Sequence, residues 1–183
     1  MVDRTAPITP GERLWLDRLM MPLPRGATIL DLGCGGGEPI GRYLIDHGFQ
    51  IVGIDHRAPL IDLACTRFPR QRWLLGDMHT IALDEQFAAV LAWQSLHLLS
   101  AADQATMAQR AAVWLKPGGR LLFSVLPVDQ GDLDGFRPGS RFRDDLSAAD
   151  YSSALTAQGL IEMAHVETDR ACNSAGVWLV RKP

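Results

Sequence analysis

Between Ala27 and Leu126, short apolar runs alternate with segments whose apolar residues recur every three or four positions. Runs of the first kind suit buried strands and segments of the second kind suit amphipathic helices. Their alternation predicts βαβ units on a parallel sheet. The strand-like runs are Ala27–Leu32, Gln50–Asp55, Arg72–Gly76, Phe87–Trp93 and Arg120–Leu126. Ahead of them, Thr9-Pro10-Gly11-Glu12 reads as a capping box with proline at the first helical position. It opens a helix to about Met21, which Pro22 and Pro24 end. Further helices are predicted over Glu38–His47 and Pro59–Arg67, and after the Ser100-x-x-Asp103 box. The last of these places Ala101, Ala105, Ala108, Ala112 and Leu115 on one face, and Lys116-Pro117-Gly118-Gly119 closes it.

Residues Pro127 to Asp145 are loop-like and rich in Gly, Asp and Arg. Ser147-x-x-Asp150 caps one more helix, to about Gln158, and two final strands follow at Leu160–Glu167 and Gly176–Val180. Too few residues join these two strands for a crossover helix, so they form an antiparallel pair. The pattern is that of an α/β fold with seven strands. A length of 183 residues suits one domain, here 1–183, with an N-terminal helical segment over 1–26 and a candidate substrate lid over 127–146.

Composition narrows the function classes. A net charge of −3 gives no bulk attraction to a polyanion, so no nucleic-acid partner is expected. Cys34, Cys65 and Cys172 are odd in number and lack C-x-x-C spacing, which argues against a disulfide framework or a zinc site, and no metal is expected. Met1 to Glu12 is no secretory signal, and the uncharged run Phe87 to Ala102 is too short and polar to span a bilayer. The expectation is a cytoplasmic protein with no membrane partner.

The chemistry concentrates in Ile29-Leu-Asp31-Leu-Gly33-Cys34-Gly35-Gly36-Gly37-Glu38. A buried strand there feeds a glycine turn that opens a helix. Glycines let a ligand approach the backbone with no Cβ in the way, and a helix N-terminus presents free N–H groups. Such a turn can also merely connect strand to helix. A second acid, Asp55, ends the next strand eighteen positions after Gly37. A carboxylate so placed accepts the ribose hydroxyls of an adenine nucleoside. The dinucleotide fingerprint G-x-G-x-x-G fails in both registers, because its third glycine falls on Glu38 or on Ile40. Glu38 at the helix mouth would repel a pyrophosphate, an objection that S-adenosylmethionine, which has no phosphate, escapes.

ILDLGCGGGEPIGRYL (29–44) resembles the first motif of the class I S-adenosylmethionine-dependent methyltransferases. IVGIDH (51–56) resembles their ribose-binding acidic motif, and Gly76-Asp77-Met78 their third motif. LAWQSLHLL (91–99) resembles the fourth-strand motif, and LKPGGRLLFS (115–124) the turn into the fifth strand. The resemblance covers about Ala27 to Leu126 well, with five motifs in order. It implies a mostly parallel seven-stranded sheet of order 3-2-1-4-5-7-6 with strand 7 antiparallel and helices on both faces. It also implies S-adenosylmethionine as cofactor. The backbone around Gly33 and Gly35 would flank its methionine part, Asp55 would hold its ribose, and Asp77 with Met78 would contact its adenine, with Asp31, Cys34 and Gly37 also in the cofactor site and His56 at the cofactor rim or in solvent. Trp93 and Gln94 would lie at the end of the fourth strand, where α/β ligands bind. Many relatives carry an acid or Asn in place of Gln94. The D/N-P-P-Y/F tetrapeptide of amino-methylating enzymes is replaced by Ala92-Trp93-Gln94-Ser95, which argues against methylation of base amines.

Methyl transfer from a sulfonium is a displacement at carbon, for which the protein mainly aligns the reactants. His97 is the candidate base, with packing at a helix start as its other reading. His79 reads as an exposed loop residue, and Cys34 as a small side chain that fits the turn. Trp15 either closes over the cofactor or packs in the core. Arg137 and Arg141 either hold an acidic acceptor under a lid or are solvated among Asp129, Asp132, Asp134, Asp144 and Asp145. The leading expectation is methyl transfer to a small-molecule acceptor, since the sequence shows no appended substrate domain. A non-catalytic S-adenosylmethionine-binding or partner protein is the alternative, and an NAD-dependent oxidoreductase stands behind it.

Overall fold

The computed structural model describes residues 7–125, 146–172, 174 and 176–183. Its strands are β1 (Thr28–Leu32), β2 (Gln50–Asp55), β3 (Arg72–Leu75), β4 (Phe87–Ala92), β5 (Leu115–Val125), β6 (Ile161–Val166) and β7 (Gly176–Arg181). They form one sheet in the order β3-β2-β1-β4-β5-β7-β6. β7 runs antiparallel to β5 and β6, and the remaining neighbours are parallel. This is the order and direction the family resemblance implies.

Side-chain alternation along the strands builds two cores, one on each face of the sheet. Leu30, Leu32, Val52, Ile54, Val90, Leu121, Phe123 and Val180 point to one face. There they meet helices α4 (Ala101–Trp114) and α5 (Ala148–Ala157). Ile29, Ile51, Ala89, Leu91, Leu122 and Leu179 point to the other. They meet α1 (Pro10–Met20), α2 (Ile40–Asp46) and α3 (Ala58–Arg67). The near-continuous apolar runs of the central strands follow from burial on both sides.

The capping box of α1 forms as its sequence predicts. The Thr9 hydroxyl accepts the Glu12 N–H at 3.2 Å, and the Glu12 carboxylate accepts the Thr9 N–H at 2.9 Å. Three boundaries or faces differ from expectation. α2 starts at Ile40 rather than Glu38, because the glycine turn continues through Pro39. β5 starts at Leu115, which pairs with Phe87, and an irregularity between Phe87 and Ala89 precedes the regular register from Arg120. The buried side of α4 is Gln104, Met107, Ala108, Ala111 and Trp114, not the alanine stripe. Met107 and Trp114 bury far more apolar surface than alanines do, so they set the helix rotation. Gln104 is tolerated inside because its amide donates to the Leu99 carbonyl at 3.0 Å.

Among the described residues, no helix is long and apolar enough to cross a membrane. One strand position bears directly on the site above it. Gly53, inside β2, lies under the Trp73 indole, and a Cβ there would come within 2.3 Å of Trp73 Cε3 and 2.8 Å of Cys34 Sγ. Gly53→Ala is therefore expected to lower stability by about 1–3 kcal/mol through overpacking. A urea midpoint unchanged from wild type would show that Trp73 can move aside freely.

Candidate functional site

The C-terminal ends of β1 and β2 meet at the glycine turn. Gly33 and Cys34 donate their N–H groups to the Ile54 carbonyl at 2.8 and 3.0 Å. Gly35 donates to Asp55 Oδ2 at 3.0 Å, and Gly37 to the Cys34 carbonyl at 3.1 Å. Four amides of the turn, those of Gly33, Cys34, Gly35 and Gly37, thus bind the protein itself. Gly33, Gly35 and Gly37 have φ of 78°, 56° and 77°, the left-handed region that favours glycine. At Gly33 a Cβ would strike Ser95 Cβ at 2.5 Å, whereas at Gly35 it would meet nothing within 4 Å. The backbone at Gly35 therefore borders open space. Arg67 braces the outside of the turn by donating to the Gly36 carbonyl at 3.2 Å.

Two carboxylates lie beside this turn. Asp55 is 3% exposed and Asp31 is 4% exposed. Burial, and behind it the charge of Asp55, pushes the Asp31 carboxyl up from its ordinary 3.8 to about 7. Burial also raises the Cys34 thiol well above its ordinary range, with Asp31 and Asp55 adding to the effect. Cys34 is thus a neutral, buried side chain, with its Sγ 3.6 Å from the Gly35 carbonyl. Glu38 does not stand as an unpaired charge at a helix mouth, because Arg42 pairs with it one turn on. Two other acids, Asp31 and Asp55, border the turn in its place. His56 is exposed, with Nδ1 3.8 Å from Asp55 Oδ1.

At the end of β3, Asp77 is exposed and Met78 is buried. The Asp77 carboxylate accepts the His79 N–H at 2.8 Å and so shapes its own loop. His79 pairs with Asp103 of α4 at 3.0 Å. Arg110 donates to the carbonyls of Met78 and Ile81 and thereby ties the loop to α4.

The end of β4 is pinned from three directions. The Trp93 indole donates to Glu12 Oε1 at 3.1 Å, so one buried carboxylate both caps α1 and holds the fourth strand. Gln94 donates its backbone N–H to the Ser124 hydroxyl at 2.9 Å and its amide to the Cys172 carbonyl at 3.1 Å. Its φ of 49° makes it the sole left-handed non-glycine residue among those described. Trp15 is 2% exposed and donates to Asp169 Oδ2 at 2.8 Å. It packs among the core residues on the face of the sheet that α1 covers. His97 sits half-buried in a 3-10 turn, Leu96–Leu98, just beyond Ser95.

Asp31, Gly33, Cys34, Gly35, Gly37, Asp55 and His56 thus gather on one side, and Trp93 and Gln94 follow β4 on the other, with His97 three residues further along the chain. Gly33 and Ser95 are where the two sides touch. Arg137, Arg141 and the rest of the candidate lid up to Asp145 lie outside the described residues. Sequence reasoning missed Glu12, Arg57, Arg67 and Arg110. Glu12 showed only its capping box, and Arg57 left a local signal in standing two residues after Asp55 at a helix start where a capping residue is usual.

The chain matches a family model described as a methyltransferase domain over residues 29–119. It is 31% identical over 106 residues to the ubiquinone biosynthesis O-methyltransferase of Coxiella burnetii, covering 56% of this chain and 44% of that enzyme. The chain therefore spans about half the length of the curated relatives it matches. Among solved structures, N-methyltransferase NodS from Bradyrhizobium japonicum, in complex with S-adenosyl-L-homocysteine, superposes with a TM-score of 0.72 at 23% identity. That match covers 96% of this chain and 89% of NodS. The cyclase SpnF superposes with a TM-score of 0.71 at 21% identity, over 100% of this chain and 84% of SpnF.

The raised carboxyl of Asp31 gives a pH test. The folded state holds this proton more tightly than the unfolded state, so stability is fully present below pH about 3.8 and declines as pH rises through about 7. Asp31→Asn removes that loss. Its stability advantage over wild type is expected to grow between pH 4 and 7 and level off above, as read from urea midpoints. An advantage independent of pH would sink this assignment.

Proposed function

Because this chain belongs to the class I S-adenosylmethionine-dependent methyltransferases, we propose that it transfers a methyl group from S-adenosylmethionine to a small-molecule acceptor. The observation that carries the reading is the joining of the glycine turn to the ribose-type acid, through the bond from Gly35 to Asp55. The residues present fit the cofactor. The backbone at Gly35 borders open space that a Cβ would enter. Two carboxylates, Asp31 and Asp55, line the turn, which suits a ligand with ammonium and sulfonium charges and no phosphate. When bound, the cofactor supplies an activated methyl group.

The remaining work falls to this chain's residues. Asp55 would bind the ribose hydroxyls, Asp77 and Met78 would border the adenine, and the backbone at Gly33 and Gly35 would flank the methionine part. Trp93 and Gln94, held by Glu12, Ser124 and Cys172, would orient the acceptor side. His97 is the candidate base for an acceptor that must lose a proton, by its place just beyond that turn. A second reading, cofactor binding without methyl transfer, draws on the sharing of this fold by a protein named as a cyclase.

The test is release of S-adenosyl-L-homocysteine from S-adenosylmethionine across panels of small phenols, amines, thiols and carboxylates, with tRNA and protein substrates alongside. Turnover confined to a small acceptor supports the proposal, and turnover only with tRNA or protein refutes it. With a proton-losing acceptor, His97→Ala is expected to lower kcat by roughly 100-fold or more while leaving S-adenosyl-L-homocysteine affinity intact. An unchanged kcat would return His97 to a packing role.

A further inference from the structure

Asp55 has its lone pairs occupied by the protein itself. Oδ1 accepts the Arg57 backbone N–H at 2.9 Å and the Arg57 Nε–H at 3.2 Å. Oδ2 accepts the Gly35 N–H at 3.0 Å and lies 3.5 Å from Arg57 Nη2. Oδ1 thus holds one backbone amide and one guanidinium nitrogen, and Oδ2 one backbone amide with a long guanidinium contact, which leaves little of the carboxylate's acceptor capacity unused. The two amides are fixed by the turn and by the start of α3. The guanidinium is on a long side chain that is 36% exposed, against 2% for the Asp55 side chain, so it alone is free to leave.

Arg57 also departs from a local rule of helix starts. It is the N-cap residue of α3, yet its side chain makes no capping bond. Ser, Thr, Asp and Asn are favoured there because their oxygens accept the free helix amides. The chain forgoes that cap and directs the side chain to Asp55 instead. Positions that break a local rule often serve a site.

We propose that Arg57 is a positioning residue that sets cofactor affinity by competing with the ribose hydroxyls for Asp55. This rests on the reading of Asp55 as the ribose acceptor. Binding exchanges a partly exposed ion pair for two hydroxyl hydrogen bonds, so the affinity is lower than the pocket alone would give. Because part of the cost is charge–charge attraction near solvent, it weakens with salt.

The experiment is calorimetric titration of S-adenosyl-L-homocysteine into wild type, Arg57→Ala, Arg57→Gln, Asp55→Asn and the Arg57→Ala/Asp55→Asn double variant. Each is first checked for wild-type circular dichroism. The two Arg57 variants are expected to bind roughly three- to tenfold more tightly than wild type, the scale of a partly exposed ion pair. Raising ionic strength about tenfold is expected to narrow the affinity gap between wild type and the Arg57 variants, a response that a merely structural role would not produce. In the Asp55→Asn background, Arg57→Ala is expected to bring no gain. If Asp55→Asn weakens binding but the Arg57 variants bind no better than wild type, the competition is refuted and the ribose reading stands. If Asp55→Asn binds as well as wild type, the ribose reading fails and the competition fails with it.

Discussion

The hydrogen bond from the Gly35 amide to the Asp55 carboxylate joins the ends of two adjacent parallel strands, and the site is arranged around it. A carboxylate removed from water at 3% exposure needs hydrogen-bond donors. Asp55 has them in the turn and in Arg57. Asp31, one strand over, has only burial and the charge of Asp55 beside it, so its carboxyl moves to about 7. The left-handed glycines make the arrangement possible, since the chain must double back tightly for its amides to reach Ile54 and Asp55. Beneath, Gly53 leaves room for Trp73 and Cys34.

A second buried carboxylate organises the opposite wall. Glu12 is 1% exposed, closes the capping box of α1 and accepts the Trp93 indole. One residue therefore couples the start of the first helix to the end of the fourth strand. Asp169 and Cys172, in the segment between β6 and β7, add bonds to Trp15 and Gln94. The positive φ of Gln94 is held by these partners and by Ser124. Such over-determined strain is a usual sign of a turn whose shape matters to the function.

The electrostatics separate this site from a dinucleotide site of similar fold. A pyrophosphate needs amides and cations directed at it. Here the amides of Gly33, Cys34, Gly35 and Gly37 bind the protein, two acids border the turn, and Arg57 and Arg67 are already paired with Asp55 and the Gly36 carbonyl. Fold alone carries less weight, since proteins named as methyltransferases and as a cyclase share it.

The strands, their alternation and the capping boxes were legible in the sequence, because period-two burial and caps are local properties of consecutive residues. Five ordered motifs also announced Gly33, Gly35 and Asp55 as neighbours, and the antiparallel last pair followed from a short connection. What the chain could not display was anything set by partners distant along it. The alanine stripe of α4 lost to Met107 and Trp114 because helix rotation is decided by the total surface buried against the sheet. Glu38 looked like a repelling charge until the helix register gave it Arg42. Glu12 read as a cap and nothing more, since Trp93 lies 81 positions away. Sequence by itself determined the elements, their order and the kind of ligand. Only the tertiary structure decided which charges are paired, because pairing depends on distances that folding alone creates.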